Sequence, residues 1–343
     1  MPETKTYKLS FTVLILVLLL CFCANISLGS VFIPFQDVFN GLIGNPTGNA
    51  SWQHIIHEYR LPKALTAIIV GSGLGISGLL MQTLFRNPLA GPFVLGITSG
   101  SSLGVALVIM GASLFGGAFA GIFVSKWSIV IAASLGSFTV LLFVLIISNK
   151  VRDTMAILII GLMFGSITTA TVSVLSYFSS AEELQQYIFW GFGSIGNLTW
   201  HELFIFFIIY VIGILMSLVS IKALNTLLLG ENYAKSLGLN IRTSRLFIII
   251  ATSLLAGTIT AFAGPIVFIG LAIPHMTRQI FNTSNHKILL PAVFLFGAIV
   301  MLICDSIAQL PSSDLTLPIN AITSLIGAPV IIWLLVRKRK MVF

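Results

Sequence analysis

Charged residues are scarce in this sequence. Asp, Glu, Lys and Arg together make up 8% of its 343 residues, whereas hydrophobic residues make up 57% and the mean hydropathy is +1.06. Soluble domains carry about 25% charged residues, so this composition excludes a soluble globular protein. Long uncharged runs recur along the whole chain. They predict an all-α polytopic membrane protein that folds as a single transmembrane domain over residues 1–343.

Cysteine, phosphate-binding and catalytic motifs are also lacking. The three cysteines all lie inside apolar runs, which excludes a disulfide framework and a zinc site of paired cysteines. No Gly-Lys dipeptide occurs, so there is no Walker A phosphate loop. His54, His57 and Glu58 are typical of ordinary interface residues. We therefore expect no catalytic residue, no metal and no cofactor bound by this chain.

Ten apolar runs are candidate spans at about 20 residues per transmembrane helix. The Gly-rich stretch 113–126 is too short to span and is predicted to be re-entrant or interfacial. The run 266–281 is short and is predicted to be broken by Pro274. The ten predicted spans are 9–28, 63–84, 93–112, 127–147, 155–178, 201–221, 246–263, 266–281, 288–308 and 319–336.

The basic residues orient these spans. Of the 18 Lys and Arg residues, all but Arg60, Lys63 and Lys126 fall on one side of a ten-span topology. The positive-inside rule makes that side the cytoplasm, so we expect both termini and the 222–245 loop to lie there. Because the net charge of +8 is dispersed between apolar runs, we expect a lipid environment and no nucleic acid partner.

Two short matching segments indicate an inverted internal repeat. The sequence GPFV at 91–94 opens the third span, and GPIV at 264–267 opens the eighth. Spans five apart run in opposite directions, as in the inverted repeats of transporters. We expect the repeat to relate spans 2–5 to spans 7–10.

A stripe of hydroxyl side chains marks the fifth span. Ser166, Thr169, Ser173 and Ser176 recur at intervals of three and four residues, so they share one helix face. Such a face either bonds to a neighbouring helix or lines a wet pathway, and both interpretations stay open.

The stretch 222–245 must lie outside the hydrocarbon, since each Lys or Arg at mid-bilayer costs about 3 kcal/mol and the stretch carries four of them. Two glycines bracket one or two turns of helix within it. A short ordered helix there suits the docking of a partner, although a solvated connector is the simpler alternative. The residues concerned are Gly230, Glu231, Ala234, Leu237 and Gly238.

Several motifs resemble the FecCD/BtuC-like permease family of type II ABC importers, which take up iron-siderophores, haem and vitamin B12. In order and spacing they form a specific signal that covers most of the chain. They are YRLPK at 59–63, GLLMQ at 78–82, RNPLAGP at 86–92, LGE at 229–231, SLGL at 236–239, AGPI at 263–266, FIGL at 268–271, PH at 274–275, LPI at 317–319 and IGAP at 326–329.

The resemblance implies a permease subunit in a bacterial inner membrane, with no enzymatic chemistry of its own. Such a subunit pairs with a second copy or a sister permease. Two ATP-binding subunits that use ATP and Mg dock below it, and a periplasmic or lipoprotein substrate-binding protein docks above. ATP-driven alternating access would carry a bulky metal chelate into the cytoplasm, an iron-siderophore first, with haem or cobalamin as alternatives.

The resemblance also implies roles for particular residues. Gly230–Gly238 matches the helix that couples the permease to the ATPase. Arg60 and Lys63 match basic positions that dock the binding protein, although Lys63 replaces an arginine and Gln309 replaces a further arginine of some members. The hydroxyl stripe is our candidate pathway lining. The cytoplasmic gate is implied at Asn87, Pro88, Leu89 and Thr154.

An ion-coupled secondary transporter remains an alternative, because carriers of that class also use inverted repeats. Asp305, near the outer end of the ninth span, is the clearest intramembrane acid in the sequence. A buried acid of this kind would be the candidate ion site of such a carrier.

Overall fold

The computed structural model describes residues 3–111, 125–150, 154–310 and 315–336. Within these ranges every regular element is a helix, which confirms the all-α prediction. The elements are α1 (Glu3–Ser27), α2 (Phe35–Ile43), α3 (Ala50–His54), a π-helical segment (Ile55–Arg60), α4 (Leu61–Leu84), a 3₁₀ turn (Pro92–Leu95), α5 (Ile97–Ile109), α6 (Lys126–Lys150), α7 (Thr154–Phe178), α8 (Ala181–Gly191), α9 (Trp200–Val219), α10 (Ile221–Leu227), α11 (Glu231–Ser236), α12 (Ile241–Ala263), α13 (Ile269–Phe281), α14 (His286–Ala308) and α15 (Ile319–Val336).

A helix lies at each of the ten predicted spans. In the described part of the chain, seven stretches are long and apolar enough to cross a membrane. The helices α5, α13 and α15 are shorter, so the count of ten stays a prediction. The seven are Tyr7–Ser27, Ala50–Leu84, Lys126–Ile147, Ile159–Phe178, Trp200–Val219, Ile241–Ala263 and His286–Ala308.

Two of the predicted spans start later than expected, and for the same reason. After Gly91 the chain makes the 3₁₀ turn Pro92–Leu95, and α5 begins only at Ile97. After Gly264 it is not helical until α13 begins at Ile269. The residues directly before the two helices, Gly96 (φ 74°) and Phe268 (φ 67°), have positive φ, which a right-handed helix cannot contain. Both Gly-Pro segments are thus followed by a helix of 13 residues, which agrees with the predicted repeat.

Pro274 does not break its helix, contrary to the sequence-based expectation. It lies inside the continuous helix α13, buried in that helix, where the loss of one backbone hydrogen bond is tolerated by the surrounding packing. The stretch 113–126, predicted to be re-entrant or interfacial, lies almost wholly outside the described residues.

The chain divides into two compact units, and each combines segments from both halves of the sequence. The first contains Met1–Ile76, Ser194–Ile208 and Val267–Val342. Its helices α4 and α14 cross so closely that a Cβ at Gly71 would lie 2.2 Å from the carbonyl oxygen of Gly297. Close backbone approach at small residues is the usual way in which helices associate in membranes. The prediction of a single domain is left untested by this division.

The second unit contains Ser77–Gly193 and Ile209–Ile266. Its helices α5 and α6 cross at Gly100 and Gly136, where an added Cβ at Gly136 would lie 2.0 Å from the Gly100 carbonyl oxygen. Helix α12 also packs on α6. An apolar cluster that includes Val105, Ile109 and Ala261 fills the space between these helices.

Candidate coupling site

The predicted coupling helix is present as α11, between two glycines with positive φ. Gly230 precedes it with φ 98°, and Gly238 follows it with φ 80°. The chain closes after the helix through hydrogen bonds from Gly238 N to Lys235 O (2.9 Å) and from Leu239 N to Ala234 O (3.0 Å). This paired closure is the Schellman arrangement, which needs a residue that tolerates positive φ.

Helix α11 has a buried side and an exposed apolar side. Ala234 is fully buried and seats the helix against its own unit. Leu229, Tyr233 and Leu237 are each more than half exposed. Exposed aromatic and aliphatic side chains around a short ordered helix are typical of a docking surface.

An ion pair fastens α11 to the base of α12. Glu231 accepts a hydrogen bond from Arg245 Nη2 at 2.9 Å. The side chain of Arg245 is 10% exposed, and that of Glu231 is 36% exposed. Among the described residues Arg245 Nε is buried and has no partner. Glu231 is therefore the group that compensates a nearly buried guanidinium.

The exposed side of α11 borders an open cleft of about 630 Å³. The far wall of the cleft comes from the end of α4, where Arg86 is exposed and has φ 48°. The structure thus brings α11, the predicted coupling helix, next to the loop that is predicted as the gate. The cleft is lined by Leu84, Phe85, Arg86, Leu227, Leu229, Gly230, Glu231, Asn232, Tyr233 and Ser236.

The predicted gate residues Asn87, Pro88 and Leu89 form a turn directly after Arg86. Asn87 Oδ1 accepts a hydrogen bond from Leu89 N at 2.9 Å, which is an Asx turn. Leu89 is 45% exposed. Thr154 is the first residue of α7, and residues 151–153 before it lie outside the described ranges. The structure therefore places three of the four gate residues in one loop.

Arg60, predicted to dock the binding protein, is bound within its own unit. Its Nη1 donates to the carbonyl oxygens of Ile26 (2.6 Å) and Ser27 (2.9 Å), and its Nη2 donates to the carbonyl oxygen of Val31. Ile26 and Ser27 are the last two residues of α1, where oxygens without a helical partner favour a cation, and Val31 lies in the loop that follows. The side chain is partly exposed.

Lys63, the second predicted docking residue, pairs with Asp305. Its Nζ lies 3.1 Å from Asp305 Oδ1, with the two side chains 22% and 2% exposed. Asp305 Oδ2 also accepts hydrogen bonds from Asn25 Nδ2 at 2.9 Å and Gln309 Nε2 at 2.7 Å. The buried carboxylate thus joins α1, α4 and α14. Docking by Arg60 and Lys63 stays a prediction, and both side chains already have partners.

The hydroxyl stripe lies mostly on the exposed face of α7. Ser166, Thr169 and Ser173 are exposed and donate to backbone oxygens one turn earlier, at 3.3, 3.0 and 2.8 Å. Ser176 is partly buried and lies 3.6 Å from Met110 Sδ. The first three therefore keep acceptor capacity for a ligand or a second helix.

Sequence reasoning missed Arg86, Tyr233 and Arg245 as parts of this site. Arg86 begins the motif RNPLAGP but has no assigned role in it, and Tyr233 belongs to no motif, so both are recognised only because the cleft brings them together. Arg245 and Glu231 lie on different helices with the Gly238 turn between them, so no helical spacing links them. One feature of the sequence does point to Arg245. It is a charged residue beside an apolar helix, and such a charge needs a partner.

Comparison with known proteins assigns the family. The sequence profile of the FecCD transport family matches residues 16–337. The chain belongs to the FecCD transport family. It is 34% identical to the hemin transport system permease protein HmuU of Yersinia pestis, over 97% of this chain and 96% of the relative. It is 35% identical to the vitamin B12 import system permease protein BtuC of Klebsiella pneumoniae, over 98% and 95%.

Solved structures share the fold of this FecCD chain. A metal-chelate type ABC transporter in an inward-facing conformation superposes with a TM-score of 0.83, at 32% identity over 95% of this chain and 98% of that one. The Streptococcus pneumoniae PsaBC structure, solved with a Fab, shares the fold at a TM-score of 0.53 and 16% identity, over 88% and 95%. The chain is therefore a multi-pass inner-membrane permease subunit.

Proposed function

We propose that this FecCD permease imports a bulky metal chelate into the cytoplasm by alternating access driven by partner ATPase subunits. An iron-siderophore is the first candidate substrate, with haem and cobalamin as alternatives. The relatives whose names mention hemin and vitamin B12 match almost the whole chain, and the metal-chelate transporter shares its fold at a TM-score of 0.83.

The observation that carries the proposal is the cleft beside α11. Leu229 and Tyr233 expose apolar surface around it, and Arg86 and Glu231 place both signs of charge on its walls. A partner that fills the cleft contacts α11 and the loop after α4 together. An ATPase can drive the spans only if it contacts their two states differently, and these two elements give it the points of contact.

We assign the partners accordingly. Two ATP-binding subunits occupy the clefts of a permease dimer, formed with a second copy or a sister permease. These subunits bind ATP and Mg and hydrolyse the ATP. A substrate-binding protein delivers the chelate on the opposite side. Both termini, the coupling region 222–245 and the gate at Asn87, Pro88, Leu89 and Thr154 are on the cytoplasmic side in this proposal.

The test is uptake by proteoliposomes that contain the permease and its ATP-binding subunit, with the binding protein outside and ATP inside. We expect accumulation of a ⁵⁵Fe-siderophore only when ATP and both partners are present, and inhibition by vanadate. Haem and cobalamin are offered in separate arms to identify the substrate class. Accumulation driven by a proton or sodium gradient without any ATPase would overturn the proposal and favour the secondary carrier.

A further inference from the structure

Helix α2 presents three different faces. Val38 and Gly41 are buried, and a Cβ at Gly41 would lie 2.8 Å from Ile56 Cδ1, so this face packs on the π-helical segment. A second face carries polar side chains, among them Asp37, whose Oδ1 accepts a hydrogen bond from Gly48 N at 2.8 Å. The third face is apolar and uncovered.

The uncovered face of α2 is large for a helix of nine residues. Phe35, Phe39 and Ile43 follow one another at intervals of four and are 57%, 63% and 58% exposed. Val31 and Phe32, in the preceding loop, are 45% and 57% exposed. No charged side chain interrupts this stripe. Contiguous apolar patches of this kind mark an interaction surface.

The position of α2 is fixed at the end of α1. Ile33 N donates to Ser27 O at 3.1 Å, and α2 begins two residues after Ile33, in contact with α1. The apolar 18-residue window of the span Tyr7–Ser27 has a mean hydropathy of 2.6, and only 11% of that window is buried. The exposed side of α1 therefore faces lipid, and α2 begins where that lipid-facing surface ends.

Two hydrogen bonds connect α2 to an exposed indole. His57 Nε2 lies 2.9 Å from Gly41 O, and Trp200 Nε1 donates to His57 O at 3.0 Å. Trp200 is 40% exposed, and Tyr59, in the same π-helical segment as His57, is 63% exposed. Exposed Trp and Tyr side chains are enriched at the membrane–water interface. This cluster therefore marks the interfacial level next to α2.

We infer that α2 is an interfacial helix, with Phe35, Phe39 and Ile43 inserted among the lipid headgroups and upper acyl chains. A helix with one apolar and one polar face lies in the plane of the interface in this way. Lipid is the occupant because the apolar face continues the lipid-facing surface of α1 and lies beside the aromatic cluster. The helix thereby holds the outer end of α1 at a defined depth.

The test uses nitroxide labels on the full chain in lipid nanodiscs. Cys21 and Cys23 are replaced by Ser and Cys304 by Ala, and Phe39→Cys is labelled beside its matched neighbour Asn40→Cys on the polar side. Collisions with oxygen, which concentrates in the bilayer, are compared with collisions with a water-soluble nickel chelate. We expect the ratio of oxygen to nickel collisions to be severalfold higher at position 39 than at position 40.

Two results would overturn the inference. Equal access of the nickel chelate to both positions would show that the apolar face lies in water. A low collision rate with both reagents at position 39 would show that protein covers the apolar face. The cover would be a second copy of this chain, or the binding protein if the low rate appears only after that protein is added. Phe35→Cys on the same face gives an independent reading in the event that Phe39→Cys is not folded.

Discussion

At the scale of single residues, two buried or nearly buried charges of this protein each have a partner of opposite charge. Arg245 is nearly buried and relies on Glu231, 2.9 Å away. The sequence predicts one or two turns of helix at Glu231, and the structure has a helix at Glu231–Ser236. It gave no indication of Arg245, since the pairing depends on how the turn at Gly238 folds α11 back towards α12.

Loss of Glu231 is expected to uncouple transport. In Glu231→Gln the Arg245 guanidinium keeps a weaker acceptor, so α11 is held less firmly against α12. A partly exposed ion pair contributes about 1 kcal/mol or less, so we expect normal expression and a nearly unchanged melting temperature. Uptake per ATP hydrolysed should fall severalfold in the reconstituted complex. Lys235→Gln, an exposed neighbour on α11, is the matched control, and undiminished uptake in Glu231→Gln would contradict the coupling role.

Asp305 shows a second case, in which the sequence found the acid but not its partners. The sequence predicts that this residue is an intramembrane carboxylate and a candidate ion site. In the structure it is 2% exposed and receives Lys63, Asn25 and Gln309. These contacts join three helices that are far apart in sequence. The residue pattern within any one helix cannot predict such contacts.

Removal of Lys63 is expected to destabilise the protein strongly. Lys63→Met leaves the buried carboxylate with amide donors alone, and loss of one member of a buried pair costs on the order of 3 kcal/mol. The melting temperature of the purified protein should fall clearly. The double variant Lys63→Met/Asp305→Asn removes the unpaired charge and should recover most of the loss. A melting temperature that Lys63→Met leaves unchanged would show that the pair contributes little.

The single variant Asp305→Asn separates the two classes of transporter. An amide keeps hydrogen-bonding capacity for Asn25 and Gln309, and Lys63 is 22% exposed and reaches water. We therefore expect ATP-driven uptake to persist at roughly the level of the parent protein. A carrier that depends on this carboxylate for proton or sodium binding would lose uptake altogether in the same assay.

At the scale of helices, apolar runs predicted where the spans lie but not where they start. Runs that are apolar all round carry no periodic signal that marks an end. The starts of α5 and α13 are delayed by the positive φ of Gly96 and Phe268, and the apolar residues around these two positions give no sign of it. The π-helical segment Ile55–Arg60 and the amphipathic helix α2 were not predicted at all.

At the crossing of α4 and α14, a Gly→Ala substitution is expected to change stability in the direction opposite to its usual effect in a helix. Gly→Ala within a helix ordinarily stabilises by about 0.5–1 kcal/mol. At Gly71 the new methyl group would lie 2.2 Å from Gly297 O and 2.5 Å from Met301 Cβ, so the helices must separate. We expect Gly71→Ala to lower stability by about 1–3 kcal/mol, seen as a lower melting temperature by fluorescence-detected size exclusion.

The control for this crossing is Gly191→Ala at the end of α8. A Cβ there meets nothing within 4 Å, so its melting temperature should be unchanged or slightly raised. Equal effects of the two variants would show that the close approach of α4 and α14 has no energetic consequence.

At the scale of the whole molecule, the sequence predicted the class of protein, the positions of its helices and a likeness between its halves. It could not predict which helices pack together. The first unit joins α4 to α14 and the second joins α12 to α6, so each combines helices from both halves. Such pairings depend on side-chain fit over long sequence separations, for example at Gly71 and Gly297, where neither glycine alone identifies its partner.

Helix α7 is little covered by the rest of this chain. In the apolar 18-residue window of its span Ile159–Phe178 only 17% of the residues are buried, against 89% in the corresponding window of Ala50–Leu84. Lipid alone would suit its apolar side chains, but Ser166, Thr169 and Ser173 share one exposed face. In the proposed dimer this face is covered by a second permease and borders the substrate pathway.

Cysteine cross-linking tests that arrangement. In a background without Cys21, Cys23 and Cys304, Ser173→Cys should join two copies through a short bis-maleimide and should react with a charged maleimide when the pathway is open. Thr171→Cys is the control, because it lies on the opposite side of α7 at helical spacing and its hydroxyl makes the same type of backbone bond. It should do neither. Absence of both reactions at position 173 would place the stripe against lipid, and the pathway would then have to run along another helix.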